Sequence, residues 1–345
     1  MRVTQLLRRG LRRWRRIWQP QAIILAYHRV TKTEYDPQLL CVSPANFADQ
    51  LAVLASEHHV LSLSALVAAQ QARQLPRRAV VITFDDGYAD NFLEARPLLQ
   101  QYGYPATIFV TSGLIDGAEE FWWDELERLT LLPNCLPPTV RLTITQQTHS
   151  WDLGDCADYS KSAAAAHRAW HVLAADTPTP RHRLYRELYA LLHPLTWQER
   201  RDALAALRLQ LDSPPNGRAT HRILSSSEIQ TLAAENLIEI GAHSAHHPRL
   251  STLSDEDQQA EISASKQQLE AASGQPVTSF GYPYGTPADY TPATIRLLQQ
   301  AGFLCACANF EGRAAFDADL FQLPRFLVRN WTKAEFAHCL RRWER

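Results

Sequence analysis

The chain has 345 residues, of which 46% are apolar, enough for one large domain or two small ones with a real core. Its 35 basic and 36 acidic residues nearly cancel, yet residues 1–20 hold seven arginines and no acid, which leaves residues 21–345 at −8. A body of that charge gives nucleic-acid binding no support, and no apolar run approaches the roughly 18 residues of a membrane-spanning helix.

In residues 1–20, Leu7, Leu11, Trp14 and Trp18 recur at helical spacing among Arg8, Arg9, Arg12, Arg13, Arg15 and Arg16. The spacing predicts a basic amphipathic helix with two fates open to it. It can lie peripherally on an anionic membrane face, or pack its Leu/Trp stripe on the domain, and Gly10 weakens both. This stretch lacks the apolar centre of a secretory signal, so a cytoplasmic location is expected, at the inner membrane surface if the helix binds lipid.

From residue 21 onward strands and helices alternate. Strands are predicted at 22–28, 60–63, 79–85, 105–111, 237–242, 277–282, 303–308 and 322–328, and helices at 45–57, 90–103, 255–273 and 291–301. That order implies an α/β fold with a mostly parallel sheet, closed or open. Residues 118–222 break the alternation. They open with Phe121-Trp122-Trp123-Asp124-Glu125-Leu126, pass a hairpin over 139–144 and 148–153, and continue as helices to about 211. Pro214-Pro215-Asn216-Gly217 then forms a turn-rich linker, and Ser225-x-x-Glu228 reads as a capping box restarting the main fold. The region is expected to insert over or beside the functional face, as a substrate-shaping lid or as helical bracing. Trp122 and Trp123 suit stacking on a sugar ring or plain burial. The cysteines at 41, 135, 156, 305, 307 and 339 show no Cys-x-x-Cys spacing, and read as buried small hydrophobes in a reducing compartment.

Two segments concentrate chemistry. Thr83-Phe84-Asp85-Asp86-Gly87 places adjacent carboxylates at the end of a buried strand, where like charges raise one pKa and make a base. An ordinary acidic turn is the plainer reading. Far downstream, His243-Ser244-Ala245-His246-His247-Pro248 follows another strand-like run. Histidines three or four apart converge on one ion when the loop curls back, and an aspartate with two histidines leaves positions open for water. A solvated polar loop is the alternative.

With Ile24-Leu25-Ala26-Tyr27-His28-Arg29-Val30 and Phe280-Gly281-Tyr282-Pro283-Tyr284-Gly285, these motifs span most of residues 22–330. As an ordered set they resemble the polysaccharide deacetylases of the NodB-homology type, carbohydrate esterase family 4. The resemblance implies an irregular (β/α) barrel over residues 21–345, with a mostly helical insertion at about 118–222. It implies a metal-dependent hydrolase that removes an N-acetyl group from an amino sugar in a polysaccharide or lipid-linked saccharide. Asp85 is then the general base, and Asp86, His243 and His247 hold a divalent ion, with Zn2+ expected. Tyr284 supplies a backbone N–H to the oxyanion, and His246 is a bystander. The chain also departs from the pattern. Many members carry an arginine three residues before that tyrosine, to hold the base aspartate, where this chain has Gly281. Arg325 is a candidate substitute. The leaving-group acid has no clear match, since His338 sits in a helical pattern near the end and His28 is better placed but unassigned. Two alternatives remain open: hydrolysis of cyclic amides or imides on the same fold, or an inactive glycan-binding protein.

Overall fold

A computed structural model describes residues 20–345. The basic helix expected over residues 1–20 lies outside the described residues, Pro20 excepted.

Seven parallel strands carry the fold: β1 (Gln21–Tyr27), β2 (Ala79–Phe84), β3 (Ala106–Val110), β4 (Ile238–Ala242), β5 (Ser279–Gly281), β6 (Cys305–Cys307) and β7 (Phe326–Leu327). Their near-continuous apolar runs suit strands covered on both faces. Registers run β1–β2 through Ile23↔Val80, β2–β3 through Ile82↔Ala106, β3–β4 through Ala106↔Ile238, β4–β5 through Ala242↔Phe280, and β5–β6 through Ser279↔Cys305. The sheet curls until β7 meets β1 at Leu25↔Phe326, and a bridge between Cys307 and Leu323 joins β6 to the same segment. The result is the irregular (β/α) barrel expected from sequence. Its seam is short because Pro324 has no N–H to extend the ladder, which reduces the strand predicted over 322–328 to two residues. Outside the ring, His59–Leu61 pairs with β2, and Ala314–Ala315 pairs antiparallel with β1.

Strand alternation sorts two cores. Ile23, Leu25, Val80, Ile82 and Ile108 face the surrounding helices. Ala22, Ile24, Val81, Phe109, Cys305 and Cys307 form a second cluster that fills the barrel. Helix Leu63–Ala72 closes that cluster at the N-terminal ends of the strands through Leu63, Leu66 and Val67.

Helices Pro44–Glu57, Asp255–Ser273 and Pro292–Gln300 match expectation within a residue. The helix expected over 90–103 divides into a π-type turn, Asn91–Ala95, and an α-helix, Arg96–Tyr102. Pro97 cannot donate to the preceding turn, and the wider turn absorbs the gap. The hairpin pairs Thr139–Ile144 with Gln147–Asp152, one residue from prediction, around Thr145 and Gln146, both at positive φ as a two-residue hairpin loop demands. The Ser225–Glu228 capping box is formed. Among the described residues no helix is long and apolar enough to cross a membrane. All six cysteines are free, but only Cys41, Cys305 and Cys307 are buried. Cys135 is exposed and Cys156 and Cys339 are half-buried, so the small-hydrophobe reading holds for three of them.

Candidate active site

The carboxylates and imidazoles singled out in the sequence arrive at one place, the C-terminal ends of the strands, where (β/α) barrels gather their chemistry. β2 ends at Asp85 and Asp86, β4 runs into His243 and its loop, and the loop after β5 carries Tyr284. Gly87, at φ +81°, makes the first turn, and a Cβ on it would lie 2.8 Å from Val110 Cγ1. Asp86, Ser244, His247 and Tyr284 all adopt left-handed backbone, at φ 73°, 59°, 54° and 59°. Each such residue costs on the order of 1 kcal/mol or more, so four around one cavity mark a place where the fold spends stability on geometry.

Asp86, His243 and His247 are buried, and their ligand atoms all lie within 4.8 Å of one another. His243 Nδ1 donates to the Gly281 carbonyl at 2.7 Å, which aims Nε2 at Asp86, 3.5 Å from its Oδ1. His247 Nε2 stands 3.4 Å from the same oxygen. Burial holds the His247 imidazole down at about 3, so it is neutral. Burial would raise Asp86, but hydrogen bonding from His243 and the fields of the histidines hold it below the usual carboxylate range. Two imidazole nitrogens thus crowd one ionised carboxylate oxygen, an arrangement that suits a cation set among them. Separations near 3.4 Å equal the edge of a tetrahedron whose bonds are about 2.1 Å, the length of Zn–N and Zn–O bonds. The residues therefore fit a divalent ion.

Asp85 has a different partner. Arg325 donates from Nη1 to Oδ1 and from Nη2 to Oδ2, both at 2.7 Å, and also to Thr83 Oγ1 and the Ala308 carbonyl. Both residues are buried. Arg325 occupies the place expected of the missing arginine, and the structure shows why position 281 cannot. A Cβ on Gly281 would lie 2.9 Å from Phe109 Cγ and 3.1 Å from His243 Nδ1. The Phe109 ring fills the barrel there, and the guanidinium enters from the seam instead, 5.7 Å from that ring. One expectation is overturned: adjacency raises neither carboxyl. Burial would lift Asp85, but Arg325, His243 and His28 outweigh it and hold the acid well below its ordinary range.

The cavity above these groups measures about 180 Å3, and His28, Trp123, Tyr189, Tyr284, Asn309 and Arg329 share in lining it. His28 Nε2 lies 3.9 Å from Asp85 Oδ2. Burial keeps this imidazole below its usual pKa against the pull of Asp86 and Asp85. Tyr284 is held between the rings of His193 and His247, at 4.5 and 4.7 Å, and its carbonyl accepts from Asn309 Nδ2 at 3.1 Å. The insertion reaches the site: Phe121 and Trp123 lie 5.8 and 5.0 Å from the His247 ring. Trp122 packs between Tyr189 and the Arg200 guanidinium, and Trp123 stacks on Phe121 at 4.5 Å, so stacking of a sugar on Trp122 gives way to burial. His246 turns away to pair with Glu261, as a bystander would. His338 is exposed on helix Lys333–Trp343 and is not among the residues lining the cavity.

Sequence reasoning missed Asn309 and Arg329. Each follows a predicted strand by one residue, so the strand-end rule applied to 303–308 and 322–328 pointed at both. Tyr189 and His193, brought in by helix Pro180–Leu192 and the residue after it, carried no such signal.

Comparison with known proteins agrees with this architecture. The family model described as polysaccharide deacetylase matches residues 72–203 and 211–306. YxkH of Bacillus subtilis (strain 168), a protein named for the same family, is 50% identical over 40 residues, 12% of this chain and 14% of its own length. The chain thus matches only a small part of that curated relative. IcaB from Ammonifex degensii superposes with a TM-score of 0.57 at 16% identity, covering 93% of this chain and 97% of that one. A de-N-acetylase from Aggregatibacter actinomycetemcomitans superposes at 0.56 and 16% identity, covering 93% and 99%.

Proposed function

The chain belongs to the polysaccharide deacetylase family, a family of carbon–nitrogen hydrolases, and from that premise we propose that it removes the N-acetyl group from an amino sugar in a glycan or lipid-linked saccharide. The observation that carries the reading is the division of labour between neighbouring carboxylates: Asp86 faces two imidazoles, and Asp85 is gripped by Arg325.

Asp86, His243 and His247 would hold the divalent ion, with Zn2+ expected. Such an ion supplies a water of pKa near 7 and polarisation of the acetyl carbonyl. Asp85 stays ionised and accepts the water proton, while Arg325 holds both of its oxygens in place. Tyr284 offers its backbone N–H to the developing oxyanion, a contact typically worth about 3–4 kcal/mol in the transition state. The Pro283 carbonyl of that peptide accepts from the Gly285 N–H at 2.6 Å, and the left-handed φ of Tyr284 turns the chain around it. His28 Nε2, 3.9 Å from Asp85 Oδ2 on the cavity wall, can take up the proton that Asp85 receives from the water and pass it to the departing amine. An inactive binding protein was suggested by the missing arginine and the missing leaving-group acid, and the Arg325–Asp85 pair speaks against the first of these.

Zn2+-loaded protein incubated with N-acetylglucosamine oligomers is expected to release acetate, and His247→Ala to lower that release about a thousand-fold. No release from any acetylated amino-sugar oligomer, or equal release by the variant, would contradict the proposal. A cyclic amide or imide turned over in place of the sugar would favour the rival hydrolase.

A further inference from the structure

We infer that Arg329 selects an anionic saccharide: its guanidinium binds a carboxylate or phosphate carried by the substrate beside the acetamido sugar. The inference rests on the deacetylase reading for the identity of the sugar, and on Arg329's surroundings for the charge.

Arg329 is half-buried in the wall of the same cavity as His28 and Asp85. Its Nη1 donates to the Leu39 carbonyl, and among the described residues its guanidinium has no ion pair with a carboxylate. The other arginines near this end of the barrel are satisfied. Arg29 pairs with Asp90, Arg325 with Asp85, and Arg218 with Glu120 and Glu127. Arg181 and Arg200 also lack carboxylates, but they give their protons to four and three backbone carbonyls. Arg329 gives to one. The field of Asp36 reaches it, yet both Asp36 oxygens are taken by the N–H groups of Leu40 and Cys41.

An arginine keeps its charge and presents five N–H donors in a planar fork. A fork with most donors idle, partly removed from water, costs free energy that an anion recovers through charge-assisted hydrogen bonds. Within the cavity the charges of Asp85 and Arg325 cancel, and Asp86 faces the ion site. Among the described residues Arg329 is left as the cation without an ion pair, on the wall that also holds His28. The neutral polar groups beside it, Gln38 and Asn309, suit sugar hydroxyls. Carboxylate and phosphate share the chemistry that the fork recognises, so the source of the anion is left to experiment.

Calorimetry on the full chain, with Zn2+ and after chelation, would compare three probes: N-acetylglucosamine, N-acetylglucosamine 1-phosphate, and a disaccharide of glucuronate and N-acetylglucosamine. The parent is expected to bind one anionic probe at least about ten-fold more tightly than the neutral sugar. Arg329→Gln should abolish that preference and leave the neutral sugar within about two-fold, and Arg329→Lys should keep part of it. Whichever anionic probe wins identifies the source. Equal affinities, no detectable binding of either anionic probe, or a loss shared by all three probes in Arg329→Gln would overturn the inference; the last would make Arg329 a brace for residues 36–40. A preference that survives Arg329→Gln only when Zn2+ is present belongs to the ion and would overturn it too. Acetate release without an anionic preference sinks this inference alone, whereas a preference without acetate release sinks the deacetylase reading alone.

Discussion

The two ends of the barrel carry cavities of opposite character. At the N-terminal ends of the strands a space of about 420 Å3 is walled by Ser64, Gln71, Glu239, Thr278 and Ser279 among others. Among the described residues Glu239 is the only carboxylate there, and its oxygens are taken by the Ser64 and Thr107 hydroxyls. The cavity at the C-terminal ends is less than half that size, yet two carboxylates, three imidazoles and an arginine line it. Volume therefore does not mark the site. Convergence of buried ionisable groups on strand ends does, and it comes with strained backbone and a salt bridge removed from solvent.

The sharpest way to break this contrast is at the salt bridge. Arg325→Leu strands Asp85 as a buried, unpaired carboxylate and is expected to cost about 3–5 kcal/mol by urea unfolding. Adding Asp85→Asn should recover part of that loss, because the amide needs no counter-charge. A single variant as stable as the parent would show that the pair does not hold this end together.

A smaller effect concerns pH. Tyr88 donates to Asp124 at 2.6 Å and accepts from Trp123 Nε1 at 2.9 Å, tying the insertion to the site. Burial raises the Asp124 carboxyl to about 8, against the field of Arg29 and the Tyr88 hydrogen bond. The folded chain thus keeps a proton that the unfolded chain releases near 3.9. Stability from this group is complete at low pH and falls as pH rises through about 8. The urea midpoint should drop between pH 5.5 and 8.5, and drop less in Asp124→Asn. An equal drop in both would place the titration elsewhere.

The least effect is expected at the other end. Glu239→Gln should change stability by less than about 1.5 kcal/mol, the worth of an ordinary hydrogen bond, and leave kcat/KM for acetate release within about two-fold. A collapse of turnover would give the larger cavity a part in the chemistry and dissolve the contrast.

Much of the C-terminal end was legible in the sequence because its chemistry is contiguous there. Asp85 and Asp86 follow a wholly apolar strand, and His243 and His247 share one short loop after another. Parallel strands buried on both faces also write themselves as apolar runs, so all seven barrel strands could be located. What stayed hidden depends on distance in space. Arg325 could be named only as a candidate, because its reach to Asp85 depends on Phe109 filling the room above Gly281. Tyr189 and His193 press on the site only once helix Pro180–Leu192 docks against the barrel. Trp122 had two readings, a sugar platform or plain burial, until Arg200 and Tyr189 were seen to cover it. The raised pKa expected of one aspartate failed for the same reason, since the neighbours that lower both carboxyls come from other strands, distant along the chain.

The central claim is that adjacent carboxylates do separate jobs, Asp86 for the ion and Asp85 for the proton. Measuring bound Zn2+ and acetate release together in Asp85→Asn and Asp86→Asn tests it most directly. Asp85→Asn is expected to keep a full complement of metal and lose turnover about a thousand-fold, while Asp86→Asn loses both. An Asp85→Asn protein that sheds its metal, or one that still releases acetate at the parent's rate, would contradict the account.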